Sequence, residues 1–247
     1  MKKILILLAV LMLGFSSKAQ TLEEATAAYS NGEFGKAAEI YESLLKTNGE
    51  SAEIYYNAGN CYYRLNKTAS AILNYERALL LNPGDKDIRT NLEIARLKAI
   101  DRIEPVDNFF LTEWAHSIQN LFSSNAWSYI GIVCFLFLIG CLVSFFFSRK
   151  IFLKKCGFYV GIGMIVLCIF CNVFAYSQKK KLTNRDTAIV FAATVTIKST
   201  PDNSGTDLFL LHEGTKVTIK GKLGNWNEIE TADGNIGWIK IEDLEVI

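Results

Sequence analysis

The chain has 247 residues, is 50% hydrophobic and carries a formal net charge of +1. Half apolar is high for a water-soluble protein, and the excess sits at the N-terminus and in two uninterrupted apolar runs. The small net charge hides two acidic pieces: residues 20–105 hold 10 Lys/Arg against 13 Asp/Glu, and residues 186–247 hold 5 against 10, which argues against nucleic acid as a partner.

Met1–Ala19 has the layout of a secretory signal. Lys2 and Lys3 form its basic end, Ile4–Phe15 its apolar core, and Ser17 and Ala19 the small residues before a cut at Gln20. The alternative is an uncleaved anchor helix. Either form exports the segment that follows.

Residues 20–101 read as helical. The chain repeats itself with a period of 34: Ala37 and Tyr41 recur as Ala71 and Tyr75, Ala25 aligns with Gly59, and Leu44 with Ala78. This period, with small and aromatic residues at these offsets, resembles the tetratricopeptide helix–turn–helix repeat. One repeat covers about 20–51 and a second about 52–85, with a capping helix over 86–101. In the second copy Tyr55, Gly59, Tyr62, Ala71, Tyr75, Ala78 and Pro83 occupy family positions, and Ala58 stands where Leu is usual. The resemblance implies that the first helix of each repeat lines a peptide groove. Carried onto the second copy, the partner-binding positions are Tyr56, Asn57, Asn60, Tyr63 and Arg64. Asn side chains can bond an extended backbone and Arg64 a carboxylate. The alternative for Asn57 and Asn60 is an ordinary solvated helix face.

The periodicity breaks near Pro105 and resumes over 107–122, where Phe110, Trp114, Ile118 and Leu121 share one helical face. This segment is expected to lie in a membrane–water interface, or else to dock under the repeats. Trp127–Phe147 and Cys156–Tyr176 follow, each of 21 residues without charge. Each is long enough to span a bilayer as a transmembrane helix. The intervening loop 148–155 carries Arg149, Lys150, Lys154 and Lys155 and no acid, which places it in the cytoplasm and both flanking pieces outside. Lys179, Lys180 and Lys181 at the outer end of the second run pull against this orientation. Neither run contains an ionisable carboxylate, amine or imidazole, so the hairpin reads as an anchor rather than a conduit. Five of the six cysteines lie in the runs and only Cys61 outside, so no disulfide framework forms. Cys168 and Cys171 have redox spacing in an apolar setting that disfavours thiolate. Gly157 and Gly161 have the spacing of close helix packing.

After a polar tether at 177–185, residues 187–247 read as five or six short strands closing a small barrel. Ser199-x-Pro201, Leu211-His212-Glu213-Gly214-Thr215, Trp226-x-x-Ile229 and Asp233-Gly234-x-x-Gly237-Trp238 resemble a bacterial SH3-like domain. That resemblance implies binding of wall material or protein. Trp226 and Trp238 are either core residues or a ligand platform. His212 has no partner in the local sequence and is expected to be structural or solvated.

The expected fold is therefore a multidomain α + β membrane protein: an all-α repeat domain, a two-helix hairpin and an all-β SH3-like barrel. Signal, repeats, aromatic helix, hairpin and SH3-like domain in this order resemble the BatE-type proteins of the bacterial aerotolerance (Bat) operon. The resemblance rests on Asn82-Pro83-Gly84-Asp85 running into Ile88-x-x-Asn91-Leu92, and on Phe209-x-Leu211-His212-Glu213-Gly214. It implies an inner-membrane scaffold facing the periplasm, whose protein partners are A-domain membrane proteins of a complex linked to oxidative-stress tolerance. A cell-wall sensor binding peptidoglycan is the alternative. No catalytic constellation appears in the sequence, and no enzyme activity, cofactor, metal or nucleic acid is expected.

Overall fold

A computed structural model describes residues 22–103 and 109–247. The signal sequence, the break at Pro105 and the start of the 107–122 segment lie outside the described residues. The chain forms two compact units, and the first is built from both flanks of the second: it joins the helical N-terminal piece to Arg185–Ile247.

Among the described residues, the helical part of the first unit has five helices. Residues 22–30 form α1, followed by α2 (Phe34–Asn48), α3 (Ala52–Arg64), α4 (Thr68–Leu81) and α5 (Lys86–Arg96). Their ends are set locally. The Ser51 hydroxyl accepts from the Ile54 N–H, and the Asp85 carboxylate accepts from the N–H groups of Asp87 and Ile88, satisfying donors that a helix start leaves free. Gly49 ends α2 at φ +83°, a conformation that Gly adopts without steric cost. One core joins Ala25, Ala28, Ala37, Tyr41, Ala58 and Cys61, so α1 packs against α2 and α3. A second gathers Tyr55, Ile72, Tyr75, Ile88 and Leu92. Small residues permit the close approach: a Cβ at Gly59 would lie 2.6 Å from the Tyr75 ring.

The C-terminal piece is one antiparallel sheet of seven strands. They are β1 (Thr187–Val190), β2 (Thr194–Lys198), β3 (Asp207–His212), β4 (Lys216–Leu223), β5 (Trp226–Glu230), β6 (Ile236–Lys240) and β7 (Leu244–Val246), in the order β3-β2-β6-β5-β4-β1-β7. The strand beyond the expected five or six is β1. Three of its four residues are buried, so it lacks the alternation that marks a half-exposed strand. β3 and β7 are the sheet's edges and pair with no strand between them among the described residues, so the expected closed barrel is an open sheet. Ile197, Leu211, Val217, Ile229 and Ile239 fill its inner face. Ile189 and Ile247 leave that core and enter the helical one beside Ile72, which fuses two pieces that read as separate in sequence.

The second unit holds α6 (Phe110–Gln119), α7 (Ser124–Phe147) and α8 (Ile151–Asn184). The contacts Gly131–Cys171 and Gly157–Cys141 make α7 and α8 an antiparallel hairpin, and a Cβ at Gly157 would lie 2.7 Å from the Cys141 carbonyl oxygen. Both helices are long and apolar enough to cross a membrane. Only 11% and 17% of their most apolar stretches are buried, which is unlike the core helices of a soluble fold. α8 is longer than the expected span. The bend shrinks to Ser148–Lys150, and the expected tether at 177–185 is helix as far as Asn184. The reason for this extension is visible. Gln119 Nε2 donates to Ser177 Oγ at 3.1 Å, and Gln178 Nε2 donates to the Gln119 carbonyl at 3.1 Å. The Trp127 indole N–H joins the same carbonyl at 2.9 Å, so the end of α6 is bonded to α8 and α7. Phe110, Leu111 and Trp114 of α6 remain exposed.

Gly59→Ala places a methyl against the Tyr75 ring, which is 1% exposed and has nowhere to move. The variant is expected to lose about 1–3 kcal/mol of stability, read as an earlier thermal unfolding of the helical signal by circular dichroism.

Candidate functional site

The first helices of successive repeats, α1 and α3, and the helix that follows, α5, contribute to one cavity of about 190 Å³. It is lined by Tyr29, Asn60, Tyr63, Arg64, Tyr75, Asn91 and Ile94. Three of the five expected partner-binding residues, Asn60, Tyr63 and Arg64, therefore converge. Tyr56 stands behind them: its hydroxyl accepts from Asn91 Nδ2 at 3.0 Å, and its ring lies 6.0 Å from that of Tyr75. Asn57 is half-buried and does not line this cavity.

Asn60 is more than a solvated surface residue. Its Oδ1 accepts from the Tyr75 hydroxyl at 2.8 Å and from Asn91 Nδ2 at 3.0 Å. Burial pushes the Tyr75 phenol up, so it stays protonated and donates. Both bonds use the amide oxygen, which leaves the Asn60 amide N–H groups as the donors that side chain offers a ligand. The cations at the rim sit over rings. The Arg64 guanidinium is 4.6 Å from the Phe34 ring centroid, and Lys98 Nζ is 3.8 Å from that of Tyr63.

Sequence reasoning missed Tyr29, Tyr75, Asn91 and Ile94, although the signal for most of them was present. Shifting by the 34-residue period maps Tyr63 onto Tyr29, Asn57 onto Asn91, Asn60 onto Ile94 and Arg64 onto Lys98. Projecting the groove positions onto the neighbouring helices would have found three of the four. Tyr75 lies on a second helix, which the groove rule does not cover.

Trp226 and Trp238 are not in the core. Trp226 opposes Lys240 and Trp238 opposes Glu228, so both tryptophans share the outer face of the β5–β6 ladder, half-buried, opposite Ile229 and Ile239. Trp226 lines a cavity of about 500 Å³ with Asn203, Asn225, Lys240, Ile241 and Glu242, and Trp238 is not part of that lining.

His212 does have a partner, 111 residues away. Its Nδ1 lies 2.7 Å from Asp101 Oδ1, its backbone N–H donates to Asp101 Oδ2 at 2.7 Å, and the Thr215 hydroxyl donates to the same oxygen at 2.6 Å. The expectation that no Asp is placed beside this histidine is therefore corrected. The contact is long-range and leaves no local spacing to read. Burial pushes the Asp101 carboxyl up, but the bonds from Thr215 and His212 outweigh it and hold the pKa below the ordinary carboxylate value. The arrangement ties the segment after α5 to the end of β3 and the turn that follows it. Burial pushes the Cys61 thiol up to about 11, so it is unreactive at neutral pH. Among the described residues no group of three or more His, Cys, Asp or Glu side chains converges as a metal site.

The tetratricopeptide repeat family model matches residues 22–86, the stretch that holds α1 to α4. No curated protein matches the chain. A repeat region of this family is a protein–protein interaction scaffold in general terms, and the groove of α1, α3 and α5 is where such a region offers side chains.

The clamp has a pH signature. A carboxylate whose folded pKa is depressed contributes stability above its unfolded pKa, here an ordinary value of 3.8, and loses that contribution as pH falls through the folded pKa. Asp101→Asn is expected to cost about 1–3 kcal/mol at neutral pH, the scale of hydrogen bonds to a charged group. The gap between variant and parent should narrow below about pH 4, measured by thermal unfolding across that range.

Proposed function

We propose that this protein is a membrane-anchored scaffold that presents its repeat groove and its SH3-like sheet on one side of a bacterial inner membrane, the periplasmic side, to recruit envelope proteins. The observation that carries this reading is the first unit itself, built from segments on both flanks of the hairpin. If that unit folds on one side of a bilayer, the apolar insertion must leave and return, which needs an even number of crossings. Two antiparallel helices of sufficient length and apolarity meet that need. The basic bend at Arg149 and Lys150 favours a cytoplasmic turn. The uncovered Phe110, Leu111 and Trp114 of α6 suit a membrane–water interface, where aromatic side chains bury their rings beside the head groups. The element order supports placement in a Bat-type aerotolerance complex, with A-domain membrane proteins as partners of the groove.

A second reading has one specific observation behind it. The cavity beside Trp226, with two Asn, a Lys and a Glu around an indole, offers the stacking face and polar fringe that a wall glycan or its peptide would use. Binding of the full chain to purified peptidoglycan, abolished by Trp226→Ala, would favour this sensor reading. The full chain is needed because the sheet shares its core with the helices.

Two measurements test the scaffold. Reporters fused at Lys154 and after Ile247 are expected to fall on opposite sides of the membrane, and a same-side result would defeat the topology. Crosslinking in cells should recover envelope proteins, with yield reduced severalfold by Arg64→Glu, an exposed substitution that leaves the core intact. Unchanged recovery in that variant would remove the groove from the interaction.

A further inference from the structure

We propose that the groove selects an extended peptide in which an acidic residue adjoins a bulky apolar one; this rests on the scaffold reading and adds the chemistry of the partner. Arg64 and Lys98 lie one 34-residue period apart, Arg64 as the last residue of α3 and Lys98 in the turn just after α5. Each is exposed, and each has its charge centre over an aromatic ring, Phe34 and Tyr63 respectively. Among the described residues neither forms an ion pair with a carboxylate. Lys98 makes only a 3.3 Å bond to the neutral Asn66 side chain.

Two readings of these cations compete. Positive residues near helix C-termini complement the helix dipole, which is enough to explain one of them. It does not explain why both are held against rings at this cavity: Tyr63 lines it, and Phe34 packs 5.2 Å from Tyr29, which also lines it. A cation over a ring keeps its position while its charge stays available, so the electrostatic field at the rim is fixed before a ligand arrives. Charge complementarity then specifies a carboxylate. The cavity next to the rim takes a single side chain: at about 190 Å³, walled by Tyr29, Tyr63, Tyr75 and Ile94, it is sized for one bulky apolar group. The Asn60 amide lies on the same wall and supplies donors for a backbone carbonyl. Acid, apolar anchor and extended backbone thus follow from three adjacent parts of one surface.

The test is selection of a displayed random peptide library on the full-length protein in detergent. The parent is expected to enrich peptides that place Asp or Glu beside Leu, Ile, Phe or Tyr. The double variant Arg64→Glu, Lys98→Glu should lose that acidic preference by about tenfold, the worth of one good charged contact. Ile94→Trp, which fills the cavity, should remove the preference for the bulky neighbour while leaving the acidic one. Circular dichroism matching the parent establishes that these exposed or half-exposed changes leave the fold intact. Enrichment that Ile94→Trp abolishes but that shows no acidic preference would overturn this inference and leave the groove as a binding surface. Enrichment of nothing above bare support would overturn the inference and the groove reading together.

Discussion

The structure depends on a buried carboxylate. Glu76, with 7% of its side chain exposed, sits between Arg96 at the end of α5 and Lys216 at the start of β4, whose Nζ is 2.7 Å away. Burial pushes the Glu76 carboxyl up, and the two cations outweigh burial and keep it ionised. A lone carboxylate there would cost several kcal/mol, so the helices and the sheet must be together for the charge to be tolerated. Apolar packing of Ile72 against Ile189 and Ile247 supplies attraction at this seam, and the Glu76 triad fixes which surfaces meet. Arg77, next in sequence, donates to Glu245 and to the Val246 carbonyl, and Arg185 pairs with Glu50.

That seam constrains the topology more than the hairpin does. Apolar length alone says that a segment can cross a bilayer. The seam says that the residues before and after the insertion belong to one folded body, and a water-soluble seam of ion pairs cannot be assembled across hydrocarbon. An odd number of crossings would separate Asp101 from His212 and Glu76 from Lys216. If the hairpin crosses a bilayer, contacts 111 and 140 residues apart thus put both flanks on one side, which the apolar runs alone do not.

Much of this was legible from the sequence and some was not, for physical reasons. Helix positions were readable because small and aromatic residues recur at the period that stacking requires, as Gly59 against Tyr75 illustrates. Strands β4 to β6 announced themselves through turn glycines such as Gly214 and Gly234, both at positive φ. The seam was invisible because its partners are joined by folding and not by spacing. The extra length of α8 was hidden because 177–184 is polar, and polar residues alone do not distinguish a tether from a solvated helix held by Gln178. Barrel closure was overread, because strand count does not reveal whether the edges meet. At the groove, three of five expected residues converge, and the period pointed to most of those missed. Asn60 was underestimated because its bonds to Tyr75 and Asn91 cross to other helices.

The open sheet and the groove are linked through α4. Exposed sheet edges invite unwanted pairing, and folded proteins cover them. Here the N-terminal piece bonds one backbone group on each edge strand. Asp101 accepts the outward N–H of His212 on β3, and Arg77 donates to the carbonyl of Val246 on β7. Ile247, which follows β7, lies in the core of the helices. On α4 three consecutive residues serve three purposes: Tyr75 lines the groove, Glu76 holds the buried charge and Arg77 caps the sheet edge. A helix that turns its neighbours toward different surfaces cannot shift for one without shifting for the others. The groove thus inherits its rigidity from the seam, and a partner seated on Asn60 and Tyr63 meets a surface braced through Tyr75 by the sheet behind it.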